Sequence, residues 1–99
     1  MRKIVLACAA GASTSMLVLN MRAAAENQGY ECDIHAYPIS DVQEKAADAD
    51  IVLLGPQVRF QVDKVAGLVD CPVEAIDTMM YGTMDGAGVV AHVKEVLGD

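Results

Sequence analysis

The spacing of apolar residues changes several times along the chain, and each change marks an element. Lys3 to Cys8 is a short apolar run, Ala9 to Ser15 is small and polar, and Met16 to Gln28 carries good helix formers. Leu17, Met21, Ala24 and Ala25 recur at helical spacing, and Gly29 suits the position just past a helix end, so a helix is expected from about Thr14 to Gln28. The first unit is therefore strand, tight loop, helix. From Cys32 to Tyr37 the pattern alternates, with Cys32, Ile34 and Ala36 on one side and Asp33, His35 and Tyr37 on the other, which predicts a half-exposed edge strand. Ser40-Asp41-Val42-Gln43 has the form of a capping box for a short helix ending near Ala47.

Ile51 to Leu54 is continuously apolar and stops at Gly55-Pro56, as expected of a central parallel strand covered on both faces. Val58, Val62, Val65 and Val69 then recur at spacings of four, three and four, predicting an amphipathic helix that ends by Asp70 to Pro72. Val73 to Ile76 reads as the last strand. A loop from Asp77 to Gly82 follows, and a final helix starts near Asp85 with Val89, Val93, Val96 and Leu97 along its buried stripe. Strand and helix in alternation predict an α/β fold, a four-stranded parallel sheet doubly wound with helices on both faces. Placing the alternating second strand at an edge and the wholly apolar first and third strands inside gives the order 2-1-3-4. In that order the winding reverses between strands 1 and 3, and the loop after Cys8 opens into the crevice where such sheets bind ligands.

Composition narrows the possibilities. Ninety-nine residues are expected to form a single domain, spanning 1–99. A formal net charge of −7 counts against sequence-independent binding to nucleic acid or anionic lipid. The run after Arg2-Lys3 breaks into glycine and hydroxyl residues, unlike a signal peptide, and no apolar stretch reaches the roughly 18 residues of a membrane span. Cys8, Cys32 and Cys71 show neither CxxC spacing nor clustering with His35 and His92, so reduced thiols in a cytosolic protein are expected, with no metal and no cofactor.

One segment concentrates candidate chemistry. Cys8 stands at a strand end, followed by Ala9, Ala10, Gly11 and Ala12 with minimal side chains, then by Ser13, Thr14 and Ser15 at a helix start. Small residues let the backbone curl so that several N–H groups converge on one anion, and Gly11 can take a positive φ. The first helical turn adds unpaired donors and the positive end of its dipole. Phosphate suits such a nest, and so does a thiolate, which makes Cys8 a candidate nucleophile toward phosphorus. A core thiol beside an ordinary turn capped by Ser13 would use the same residue types. Cys32 and Cys71 lack such a loop and read as small buried hydrophobes, and His35 and His92 as surface histidines. Asp77 and Asp85 flank the mouth of the crevice and could act as a general acid or as helix caps.

Three segments in order, Cys8 to Ser15, Leu53-Leu54-Gly55-Pro56-Gln57 and Tyr81-Gly82-x-x-Asp85-Gly86, strongly resemble the enzyme IIB component of the bacterial sugar phosphotransferase system, in its lactose/cellobiose/chitobiose branch. The resemblance covers nearly the whole chain. It implies a cytoplasmic phosphotransferase, peripheral to a membrane-embedded IIC permease. Cys8 matches the cysteine that takes a phosphoryl group from a phosphohistidine on the IIA component and passes it to a β-linked disaccharide or related sugar bound by IIC. Family members often carry a hydroxyl residue after the cysteine and a larger residue before Ser-Thr-Ser. Ala9 and Ala12 stand there in this chain, so no side-chain contribution from either is implied.

The loop also looks like that of low-molecular-weight tyrosine phosphatases, where an arginine follows the cysteine after five residues; Thr14 holds that position here. A phosphatase needs a cation on the equatorial oxygens and then admits water, whereas a carrier must keep its phosphocysteine dry. A hydrolase of that kind is the alternative reading, and a non-catalytic regulatory domain is a third. Docking is expected around the strand ends, with Gln57, Met79, Met80 and Tyr81 as candidate partner contacts.

Overall fold

The computed structural model describes residues 1–9 and 12–99. Four strands, β1 (Arg2–Cys8), β2 (Cys32–Pro38), β3 (Ile51–Leu54) and β4 (Val73–Ala75), form one parallel sheet in the order β2-β1-β3-β4. This is the order expected from the alternation in β2 and the unbroken apolar run of β3. The helices are α1 (Ala12–Asn27), α2 (Val42–Lys45), α3 (Val62–Ala66), α4 (Thr78–Gly82) and α5 (Gly86–Leu97).

β1 serves two cores at once. Its Ile4 and Leu6, with Ile34, Ile51 and Leu53, meet Leu17 and Met21 of α1 and Val89, Val90 and Val93 of α5 on one face. Val5 and Ala7, with Val52 and Leu54, meet Val42, Ala46, Val58 and Val65 on the other. The register places Ile4 beside Ile51, Val5 beside Val52 and Leu6 beside Leu53, so both faces of the two central strands are apolar along their paired length.

Three local expectations are corrected. The segment after β3 is not one amphipathic helix: Pro56–Gln61 is a 3-10 turn in which Val58 has non-helical angles (φ −119°, ψ 19°), and only Val62–Ala66 is α-helical. Proline at the start and the burial of Val58 against the second core set that path. The capping box at Ser40 does not form; Ile39–Asp41 is a 3-10 turn entered from Pro38, with no side-chain cap there or at Asp41. The stretch from Asp77 to Gly82 is not a loop: Thr78–Gly82 is helical, capped by the Asp77 carboxylate, which accepts from the N–H groups of Met79 (2.9 Å) and Met80 (3.1 Å).

α1 and α5 approach each other closely. The Cβ position at buried Gly86 lies 2.4 Å from the Asn20 carbonyl carbon and 2.5 Å from Met21 N, so only glycine fits there. Asn20 Nδ2 donates to the carbonyl of Met84 (2.9 Å), whose backbone is left-handed at φ 53°. The Asp85 carboxylate accepts from Gly88 N and caps α5.

At the opposite end of the sheet, Arg2 donates to both Asp99 carboxylate oxygens at 2.9 Å and Tyr30 Oη donates to Asp99 at 2.5 Å. The hydrogen bond from Arg2, then that from Tyr30, holds the Asp99 carboxyl down at about 2, and burial followed by the Asp99 bond pushes the Tyr30 phenol up to about 12. A depressed carboxyl stabilises the fold fully above its ordinary value near about 4 and loses that contribution as pH falls through the folded value. The raised phenol contributes fully below about 10 and loses its share as pH rises further. We expect thermal melts of Asp99→Asn and wild type to differ by a constant amount above the carboxylate range and to converge between about pH 4 and 2. A gap that does not change with acidification would contradict this assignment.

Candidate functional site at the end of β1

Cys8 closes β1 at the carboxyl edge of the sheet and is buried, only 3% exposed. α1 begins at Ala12 rather than near Thr14, so Thr14 and Ser15 lie inside the first helical turn instead of at the cap. That shift turns Thr14 inward. Its side chain is wholly buried and its hydroxyl donates to Cys8 Sγ at 2.8 Å. Tyr81 Oη stands 3.4 Å from the same hydroxyl, so thiol, threonine and phenol form a continuous polar line within an otherwise apolar setting. Ser15 is exposed.

β3 forms the second wall. The Cβ position at Gly55 is 3.2 Å from Cys8 Cβ and 3.0 Å from Gln57 Oε1, and Gly55 N donates to the Ala7 carbonyl. A side chain at 55 would press against the cysteine; glycine lets the exit of β3 lie against it. Of the expected loop residues, Ala9 is exposed, Ala12 and Ser13 open α1, and Ala10 and Gly11 lie outside the described residues. Gln57 is exposed beside Gly55, and Met79 is 74% exposed. Met80 is half-buried against the core of α1 and α5, and Tyr81 is 8% exposed.

The other candidates separate from this site. Cys32 and Cys71 are half-buried free thiols, and burial pushes both thiols up, which disfavours their thiolates. His35 pairs with Asp33 and His92 with Glu74, each at 2.7 Å on a partly exposed surface. Asp77 and Asp85 are both helix caps. Neither the inward turn of Thr14 nor the closeness of Gly55 to Cys8 is evident from the sequence pattern. A glycine directly after a buried strand was the available signal for the second; nothing in the order of three hydroxyl residues distinguished the first. Among the described residues no cluster of three or more His, Cys, Asp or Glu could hold a metal ion, and no helix is long and apolar enough to cross a membrane.

The sequence and the fold both have counterparts among known proteins. Residues 3–92 match the family described as "PTS system, Lactose/Cellobiose specific IIB subunit". The chain is 43% identical to the oligo-beta-mannoside-specific EIIB component of Bacillus subtilis, over 87% of this chain and 86% of that one. It is 38% identical to the cellobiose-specific EIIB component of Lactococcus lactis, over 95% and 94%. The solution structure of the cellobiose-specific phosphotransferase IIB component from Borrelia burgdorferi superposes with a TM-score of 0.77 at 32% identity, covering 98% of this chain and 92% of that one. The family match over most of the chain, together with two relatives of similar length, shows that this protein belongs to the lactose/cellobiose IIB family of the sugar phosphotransferase system.

Proposed function

We propose that this IIB component carries a phosphoryl group on Cys8, acting as one unit across residues 1–99. It would receive the group from a phosphohistidine of a IIA component and give it to a sugar bound by a membrane-embedded IIC permease. The observation that carries the reading is the position of the thiol. Cys8 Sγ lies at the carboxyl end of β1 and accepts a hydrogen bond from Thr14 in the first turn of α1. An anion there lies at the positive end of a 16-residue helix, a placement that suits a thiolate before transfer and a phosphoryl group after it.

In the first transfer Sγ attacks phosphorus, the S–P bond forms and the P–N bond breaks. The donor imidazole keeps the electron pair and ends with the proton that left the thiol. In the second, a sugar hydroxyl attacks phosphorus, the S–P bond breaks, and the departing thiolate takes up the hydroxyl's proton. Ala9 and the backbone that continues through Ala10, Gly11, Ala12 and Ser13 into α1 would cradle the equatorial oxygens. A β-linked disaccharide or related sugar is the expected class, since two relatives are named for oligo-beta-mannosides and cellobiose and a third for galactose. The expected location is the cytoplasm, against IIC, with exposed Gln57 and Met79 as the contact residues nearest the opening.

Thr14 also bears on the hydrolase alternative. It occupies the position where the phosphatases carry arginine, and it is turned onto Cys8, so no cation stands there to fix the phosphoryl oxygens for attack by water. Intact-mass measurement after incubation with phosphoenolpyruvate, the general phosphotransfer proteins and the cognate IIA tests the proposal. One added phosphoryl group that persists in plain buffer is expected; no addition, or rapid loss to water, would refute it.

A further inference from the structure

Phosphoryl transfer brings a dianion to a protein of formal net charge −7, and the loop that would hold it has no cationic side chain. Most of the chain's cations are engaged elsewhere. Arg2 and Lys3 pair with Asp99, Asp50 and Asp48, Arg22 donates to the Ile34 carbonyl, Lys45 lies over the Tyr37 ring and Lys94 over that of Tyr30. Arg59 makes no hydrogen bond or ion pair among the described residues. It is exposed on the 3-10 turn that follows β3, the connection that leaves the sheet next to Cys8.

Its surroundings connect it with the nucleophile. Arg59 lines an open cavity of about 410 Å³ together with Pro56, Gln57, Thr78 and Tyr81. Two of those walls touch the thiol's own environment. Tyr81 Oη is 3.4 Å from Thr14 Oγ1, which is bonded to Cys8 Sγ, and Gln57 Oε1 and Cys8 Cβ both crowd the Cβ position of Gly55. The kink at Val58 places Arg59 here: a regular helix from Pro56 onward would have directed it along a different face. The carboxylate of Asp77, which caps α4, is committed to the N–H groups of Met79 and Met80.

We propose that Arg59 binds oxygens of the phosphoryl group while it passes to Cys8, supplying from the β3 connection the positive charge that the cysteine loop lacks. The proposal rests on the carrier reading and names a residue within it. A guanidinium presents a planar pair of donors that matches two phosphoryl oxygens. Being exposed and on a turn outside the loop, it can engage during transfer without enclosing the phosphocysteine afterwards.

Single-turnover transfer from phosphorylated IIA to wild type, Arg59→Gln, Arg59→Lys and Lys64→Gln tests this, with the donor concentration varied. Lys64 is exposed on α3 and lines a different cavity, so its replacement removes the same charge without touching the site. Arg59→Gln is expected to lower the limiting rate roughly tenfold or more, with Arg59→Lys between it and wild type and Lys64→Gln unchanged. All should melt like wild type; if Arg59→Gln does not, the Arg59→Lys rate decides. An undiminished limiting rate in the Arg59 variants, a loss confined to the half-saturating donor concentration, or an equal loss in Lys64→Gln would overturn the assignment. Wild type that takes up no phosphoryl group would overturn the carrier reading with it.

Discussion

Cys8→Ser is expected to abolish phosphoryl uptake from IIA, with a loss on the order of a thousandfold or more in transfer rate. A serine at the end of β1 keeps the fold, because its hydroxyl can take the place of Sγ opposite Thr14 Oγ1. Exchanging thiol for hydroxyl at a site 3% exposed should cost about 1–3 kcal/mol of stability, far less than would unfold a typical domain. The chemistry does not survive the exchange: an alcohol in that place is a far poorer nucleophile than a thiolate. Cys32→Ser and Cys71→Ser should carry the group as wild type does, since Cys32 opens β2 and Cys71 lies just before β4, at the opposite edge of the parallel sheet from Cys8. Mass spectrometry of the intact variants, followed by localisation of the modified residue, decides the matter. Phosphoryl groups on Cys32, Cys71 or a histidine, or undiminished uptake by Cys8→Ser, would remove Cys8 from the mechanism.

The largest structural effect is expected at Gly86. An added methyl would stand 2.4 to 2.6 Å from three backbone atoms of Asn20 and Met21, and backbone cannot yield as the end of a side chain can. α5 must then move away from α1, opening the core around Leu17, Met21, Val89 and Val93. We expect Gly86→Ala to lose about 1–3 kcal/mol or more, lowering the melting temperature by roughly 4–8 °C for each kcal/mol in a domain of this size. Gly82 is the control. Nothing lies within 4 Å of its Cβ position and its φ is not positive, so Gly82→Ala should be neutral or slightly stabilising. Equal melting temperatures for the two variants would show that the contact between α1 and α5 relaxes freely.

The sheet was legible because burial dictates its pattern. A strand covered on both faces must be apolar throughout, as Ile51–Leu54 is, and an edge strand can alternate, as Cys32–Tyr37 does; together they gave the order of all four strands. Shorter features escaped for a physical reason. α4 has five residues, too few for a hydrophobic period to register, and it exists because one carboxylate at Asp77 satisfies two backbone donors. The Ser40 box has the right letters, but the chain enters that turn from Pro38 with the cap hydrogen bonds unmade. At the site, Cys8 could be read from its place between a strand and a run of small residues. The roles of Thr14, Gly55 and Arg59 could not, because each depends on a contact between segments far apart in sequence or on a local change in helix phase.

The contact at Gly86 also has a bearing on the order of assembly. β1, the cysteine and the start of α1 precede α5 in the chain, yet α1 is held in place by α5, some 60 residues further on, through Asn20, Met21, Met84 and Gly86. During synthesis the thiol therefore emerges before α5 and remains without its finished surroundings until α5 has formed and docked, so reactivity at Cys8 would report on the docking of α5 against α1.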